Sequence, residues 1–459
     1  DRWVVIGIGS STSTEYRLVD AARPTSEPIV VAARAPKVEY DVEALGDELF
    51  ILHNRDRVNF EVSRAVVTGG TVGPWLPLHL SSEDELVRGV DAFASFLAVS
   101  LRTEGQTGIR IGPRDPLSDN GFGETWDVAF DEPIRTVGVG DNPEPDTQTL
   151  QVFYTSMVTP ASVGEYDLAT RKLRLLKQTE VRGGYDPADY VQALEWAVAP
   201  DGARVPVSVV RKATTPLDGS AAAVLYAYGA YGISTDPWFS VARLSWLDRG
   251  VVFAIAHVRG GDELGRLWYE DGRLTSKQHT FDDFVAAGSL LVDKGYAHPD
   301  RLAGKGGSAG GLLIGAVANQ APTLFRALHA QVPFVDTLTT MLDPSLPLTA
   351  GEWEEWGDPI RDLGAYAYIK AYAPYNNVDD HAYPAILATT NVHDVRVYIT
   401  EPAKWVARLR DRATNAAERD PILLRAWMTA GHVGQSGRYD AWREAAWELA
   451  VLYDLLGER

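Results

Sequence analysis

The 459-residue chain has no cysteine and only three methionines, and its 43 Lys plus Arg stand against 62 Asp plus Glu, a formal net charge of −19. Without cysteine there are no disulfides, no thiolate metal ligands and no cysteine nucleophile. That composition suits a reducing compartment, and a cytoplasmic location is the expectation. So large an acid excess, with no clustered cations to meet phosphates, argues against nucleic-acid binding. Long apolar runs are missing too. A membrane helix needs roughly 18–20 apolar residues, whereas the best stretch, residues 221–232, is a dozen broken by glycine, so no membrane partner is expected. The opening Asp1-Arg2-Trp3-Val4-Val5-Ile6 lacks an initiator methionine and a basic-then-apolar leader. It reads as the inside of a strand, with upstream residues expected to be missing.

What is present falls into two grammars. Up to about Tyr185 there are short alternating runs broken by Gly, Pro, Asp and Asn, and four of them begin at Tyr16, Phe60, Gly108 and Glu165. A step of roughly 40–60 residues is close to one propeller blade, so this part makes about four blades or another all-β module of similar spacing. After Pro187 a first strand pair, 190–199 and 204–211, meets at Pro200-Asp201-Gly202, a good turn sequence. Buried-type strands (222–226, 251–256) then alternate with helical stretches (280–294, 309–319, 402–411). That alternation predicts a doubly wound, mostly parallel sheet covered on both faces. The expected domains are 1–187 and 188–459.

Gly306-Gly307-Ser308-Ala309-Gly310 fits the G-x-S-x-G nucleophile elbow, with a short strand before it and an apolar helix after it. A serine hydroxyl needs a base and an orienting carboxylate to become a nucleophile. In α/β-hydrolases these follow in the order acid, then histidine. Downstream, one apolar run ends in Asn391-Val392-His393-Asp394 and a second ends in Ala430-Gly431-His432. Each candidate lies just past a strand's C-terminal end, where open α/β sheets build their sites. His393 competes for the base, but its adjacency to Asp394 makes a single relay difficult, so His432 is preferred.

Several further stretches carry a family resemblance: Tyr228-Gly229-Ala230-Tyr231-Gly232, His257-Val258-Arg259-Gly260-Gly261, Gln331-Val332-Pro333-Phe334-Val335-Asp336, Gly351-Glu352-Trp353-Glu354-Glu355-Trp356-Gly357 and Ser436-Gly437-Arg438-Tyr439. Together with the elbow, they make the chain resemble the prolyl oligopeptidase family of serine peptidases, and most closely its branch that cleaves after basic residues. The resemblance implies a β-propeller capping an α/β-hydrolase domain. Here the propeller would be incomplete, because family members carry a longer N-terminal region. It also implies Ser308 as nucleophile, His432 as base and acid, Asp394 as its orienter, and Tyr228 with the Ala309 N–H as oxyanion hole. Arg396 and Tyr231 would bind substrate. No metal or cofactor is needed.

Between Asp343 and Asp362 there are six acids and one base, Arg361. Such a run is ordinarily a solvated face, but Trp353 and Trp356 suggest an apolar wall with carboxylates set in it, suited to guanidinium or ammonium. By resemblance, Glu352 and Glu354 bind the basic residue before the cleaved bond. Prolyl-specific relatives have an aromatic residue where Glu352 stands. The expected partners are therefore short basic peptides. Asp236 would receive a second basic residue, though Trp238 stands where the family has another aspartate, weakening a dibasic preference. Val433 follows His432 where the family has glycine, which could restrict that loop. Rival readings are a prolyl-specific peptidase or esterase on the same triad, and a catalytically silent scaffold.

Overall fold

The computed structural model describes residues 2–416 and 418–458. They divide into two compact units, residues up to Glu180 together with Glu263–Leu267, and Val181–Asp262 together with Trp268 onward. The sequence pattern set one boundary at 187. Contacts place it earlier because Lys172–Gln178 is the last strand of the first unit, and Pro187 opens the hairpin of the second. Glu263–Leu267 joins the first unit, where the Arg266 guanidinium pairs with Glu39 at 2.7 Å.

The first unit contains four antiparallel sheets. The strands Thr14–Asp20, Glu61–Thr68, Gln106–Pro113 and Ser162–Asp167 fall one to each sheet, so the four sequence landmarks mark four propeller blades. Alternation along a strand sends successive side chains to opposite faces. Leu49 and Ile51 of the second blade join Leu18 and Tyr16 of the first, while Phe50 and Leu52 join Leu97 and Val99 of the third. Phe96 and Ala98 in turn meet Val137 and Leu150 of the fourth. Strands such as Glu48–His53 and Phe96–Thr103 are buried on both faces, because the second and third blades each pack between two neighbours.

The second unit is built on an eight-stranded sheet: β1 (Tyr190–Val198), β2 (Arg204–Lys212), β3 (Ala223–Tyr226), β4 (Val252–Ala256), β5 (Leu302–Gly307), β6 (Ala327–Gln331), β7 (Ala385–Asn391) and β8 (Ile422–Trp427). Their order is β1-β2-β4-β3-β5-β6-β7-β8. β2 pairs antiparallel with both neighbours, and from β4 to β8 all pairings are parallel. The helices used below are α1 (Val241–Leu247), α2 (Gln278–Asp293), α3 (Ala309–Gln320), α4 (Thr349–Trp356), α5 (Thr400–Arg412) and α6 (Arg438–Leu455).

One sheet face shares a core with α2, α3 and α5 through Phe284, Leu312 and Trp405. Leu328 and Ala330 of β6 point into that core. Between and beyond them His329 and Gln331 turn to the other face, where Glu448 of α6 accepts from the Gln331 amide at 2.7 Å and pairs with Lys305 at 3.4 Å. α1 and α6 meet on that side through Trp246, whose indole donates to the Leu449 carbonyl at 3.1 Å. Helices therefore cover both faces, as in an α/β-hydrolase. No helix among the described residues is long and apolar enough to cross a membrane.

Candidate active site

Four strand ends meet at one place. Ser308 occupies the junction of β5 and α3 with φ +55° and ψ −117°, a backbone state that side-chain-bearing residues rarely adopt. Backbone hydrogen bonds on both sides pin it there. Its N–H donates to the Gln331 carbonyl at 2.8 Å, and its carbonyl accepts from the N–H groups of Gly311 at 2.9 Å and Phe334 at 3.1 Å. A Cβ on Gly306 would lie 2.4 Å from the Gly310 carbonyl oxygen, and one on Gly310 2.8 Å from that of Ala227. Only glycine allows strand and helix to approach so closely.

His432, in the turn after β8, faces the Ser308 Oγ through Nε2 at 3.1 Å, and its Nδ1 lies 2.7 Å from Asp394 Oδ2. The other Asp394 oxygen accepts from the backbone N–H groups of Arg396 and Val397, both at 2.9 Å. Burial pushes the Asp394 carboxyl up. The bonds from His432, Val397 and Arg396 outweigh it and hold the group below the usual carboxylate range. His393 is exposed and takes part through its backbone. Its N–H donates to the Ala430 carbonyl at 3.1 Å, tying the acid loop to the histidine loop. Val433 points outward, 93% exposed. An orienting carboxylate, an imidazole and a serine hydroxyl in this sequence can move one proton from oxygen to nitrogen and back.

Tyr228 follows β3 and reaches the same point, lining one cavity with Ser308 and Ala309. Burial, then the nearby Tyr226, Glu352 and Glu355, push its hydroxyl up to about 12, so it remains a donor at neutral pH. Ala309 begins α3, and the first N–H groups of a helix have no partner within it. The two donors flank the serine.

A cavity of about 350 Å³ opens from Ser308 and Ala309, with Phe334, Met341, Leu348 and Val397 among its walls. Glu352 is the carboxylate among the lining residues, and Tyr231 and Arg396 line the cavity as well. Glu352 Oε2 accepts from the Tyr231 hydroxyl at 2.6 Å and the Trp356 indole at 2.8 Å. Glu354 does not line this cavity. Residues 349–356 form a helix, and on a helix positions i and i+3 share a face while i and i+2 do not. The inward partner of Glu352 is therefore Glu355, which sequence reasoning passed over. A helical reading of the acidic run would have found it. Asp236 is likewise not among the lining residues. The nearby Trp238 packs edge-on to Tyr226, ring centres 5.9 Å apart, under the Arg243 guanidinium.

Among the described residues, two other groups have carboxylate and imidazole atoms close enough to share an ion: His53 with Asp56 and Glu61, and Asp201 with Asp271 and His279. The second already surrounds the Arg259 guanidinium, which donates to Asp271 at 2.9 Å.

A model of the prolyl oligopeptidase family matches residues 237–459, and one of that family's N-terminal beta-propeller domain matches residues 1–179. Dipeptidyl aminopeptidase BI of Pseudoxanthomonas mexicana is 43% identical over 100% of this chain and 62% of its own length. Protease 2 of Moraxella lacunata is 39% identical over 99% of this chain and 64% of its own. Oligopeptidase B from Trypanosoma brucei, solved in closed form with covalently bound antipain, superposes with a TM-score of 0.93 at 37% identity, covering 100% of this chain and 65% of that one. Oligopeptidase B from Leishmania major gives 0.92 at 38% identity, covering 99% and 64%. The chain thus spans less than two thirds of the length of these relatives.

Proposed function

The chain belongs to the prolyl oligopeptidase family, and from that premise we propose that it is a serine peptidase cleaving short peptides on the C-terminal side of Arg or Lys. The observation that carries the specificity is Glu352, a carboxylate set among apolar walls in the cavity that opens at Ser308. The aliphatic stem of Arg or Lys suits those walls, and the cationic head suits the carboxylate. In a prolyl-specific site an aromatic residue would be expected in its place.

The chemistry follows from the geometry. Ser308 Oγ attacks the scissile carbonyl as His432 Nε2 takes its proton. Asp394 holds Nδ1–H and stabilises the imidazolium. The oxyanion lies between the Tyr228 hydroxyl and the Ala309 N–H, worth roughly 2.7–4 kcal/mol per donor in such sites. Collapse breaks the C–N bond, and Nε2 returns the proton to the leaving amine. Water, deprotonated by the same imidazole, then attacks the acyl carbonyl, and Nε2 returns that proton to Ser308 Oγ as the ester C–O bond breaks. Arg396, on the cavity rim, would hold a substrate carbonyl beside the scissile bond. The acid excess of the chain would draw cationic peptides toward it. A cytoplasmic location remains part of this reading.

The relative named dipeptidyl aminopeptidase BI brings a second reading, release of N-terminal dipeptides by the same triad. One panel separates the two. Chromogenic amides ending in Arg, Arg-Arg and Gly-Pro, each with a free and a blocked N-terminus, are assayed with Ser308→Ala as control. Turnover of blocked Arg amides that the variant lacks supports the endopeptidase; turnover of free-amine dipeptide amides alone supports the exopeptidase. Preference for Gly-Pro defeats the Glu352 assignment. No turnover and no fluorophosphonate labelling of Ser308 would leave the silent scaffold.

A further inference from the structure

Glu355 lies behind the cavity wall, 3% exposed, and is not among the lining residues. Its Oε1 accepts the backbone N–H of Tyr231 at 2.9 Å and its Oε2 accepts the Tyr269 hydroxyl at 2.6 Å. Tyr269 in turn accepts from Arg273 at 3.2 Å. The buried Lys277 donates to the Gly229 and Gly272 carbonyls beneath the Trp356 ring. Glu355 is thus held through one oxygen by the Tyr269 hydroxyl while the other takes a single backbone amide of the neighbouring loop.

That amide belongs to a residue that needs holding. Tyr231 has φ +62°, in the left-handed region that a residue with a Cβ avoids. A buried N–H must find an acceptor, and a carboxylate is a stronger one than a carbonyl. On the far side the Gly232 N–H is bound by the Gly260 carbonyl at 2.9 Å. With its backbone clamped, Tyr231 carries its hydroxyl to Glu352 Oε2, where the Trp356 indole also donates. That oxygen is occupied twice. Among the described residues no donor reaches Oε1, which is left for a ligand.

We propose that Glu355 is a specificity-determining positioning residue: by gripping the Tyr231 amide it sets the conformation that fixes Glu352 for a guanidinium or ammonium in the cavity. The assignment rests on the basic-residue specificity proposed above.

The test compares the wild-type chain with Glu355→Met, which fills the same space without an acceptor, Glu355→Gln, Tyr231→Phe and the Glu355→Met/Tyr231→Phe double variant, on matched Arg and Phe amides. Glu355→Met should raise KM for the Arg amide about tenfold, change its kcat less than about threefold, and lower the Arg-over-Phe ratio of kcat/KM by about the same tenfold. Glu355→Gln keeps an oxygen for the Tyr231 N–H and should recover most of that ratio. The double variant should lose no more than Tyr231→Phe alone, since both changes break one linkage. Equal losses on both amides, no rescue by Gln, or effects that multiply in the double variant overturn the proposal. If Glu355→Met does not fold, Glu355→Ala takes its place. A crystal structure of the acceptor-less variant decides the matter apart from specificity. If the wild type proves indifferent to Arg, the substrate reading fails, whereas Glu355 is judged on residue 231. Loss of its positive φ and of its bond to Glu352 supports the role; retention of both overturns it.

Discussion

Glu352 and Glu355, three positions apart on α4, grip opposite ends of one tyrosine: the first accepts the Tyr231 hydroxyl at 2.6 Å and the second its backbone N–H at 2.9 Å. One turn of helix therefore fixes both the carboxylate that faces the cavity and the residue that orients it. The relationship links a helix at positions 349–356 to a loop more than a hundred residues earlier, and that loop also supplies Tyr228 to the serine.

Removing the nucleophile or its base should abolish amide hydrolysis. Ser308→Ala and His432→Ala are each expected to lower kcat by about 10⁴-fold or more, and the double variant should be hardly worse than either, because the two act as one unit. Steady-state kinetics on a blocked Arg amide, with unfolding curves to show intact folds, checks this. Multiplying losses would break the proposed relay.

Tyr228→Phe keeps the ring and removes one oxyanion donor. A fall in kcat of about 10²–10³, with KM changed much less, is the expected signature. A change confined to KM would make Tyr228 a ground-state contact instead.

Glu401 gives a pH dependence of stability. It is buried at the start of α5, accepting from Thr340 Oγ1 at 2.7 Å and the Asp336 N–H at 3.0 Å, near the Asp336–Lys404 ion pair. Burial, opposed by those bonds, pushes its carboxyl up to about 7 from an ordinary 4.5. Between these values the native state binds the extra proton, so its contribution to stability is full below the unfolded value and fades as pH rises through 7. From pH 5 to 8.5 the wild type should lose about 2 kcal/mol relative to Glu401→Gln. Urea midpoints at both pH values measure it. A difference that does not change with pH contradicts the assignment.

The triad was legible because catalysis in an open α/β sheet draws on strand ends, and short apolar runs locate those ends: Ser308, Asp394 and His432 each follow one. The blade landmarks were legible for a similar reason, since alternation and turn residues are local. Glu355 was not singled out, because the resemblance points to Glu354 and the acidic run shows a face only once residues 349–356 are known to form a helix. Nor does local sequence show that Phe50 and Leu52 point away from Leu49 and Ile51 into a different interface. Such contacts depend on which sheets stack, and the Tyr231–Glu355 bond depends on two distant segments arriving together.

The central claim is that Glu352 selects a cation beside Ser308, and the most direct test is the Arg-over-Phe ratio of kcat/KM in wild type and in Glu352→Gln. The wild type should favour Arg by about 100-fold or more, and the neutral variant should lose most of that preference through KM, as expected when a buried charge pair is deprived of one partner. A ratio near unity in the wild type, or one that survives the substitution, would contradict it.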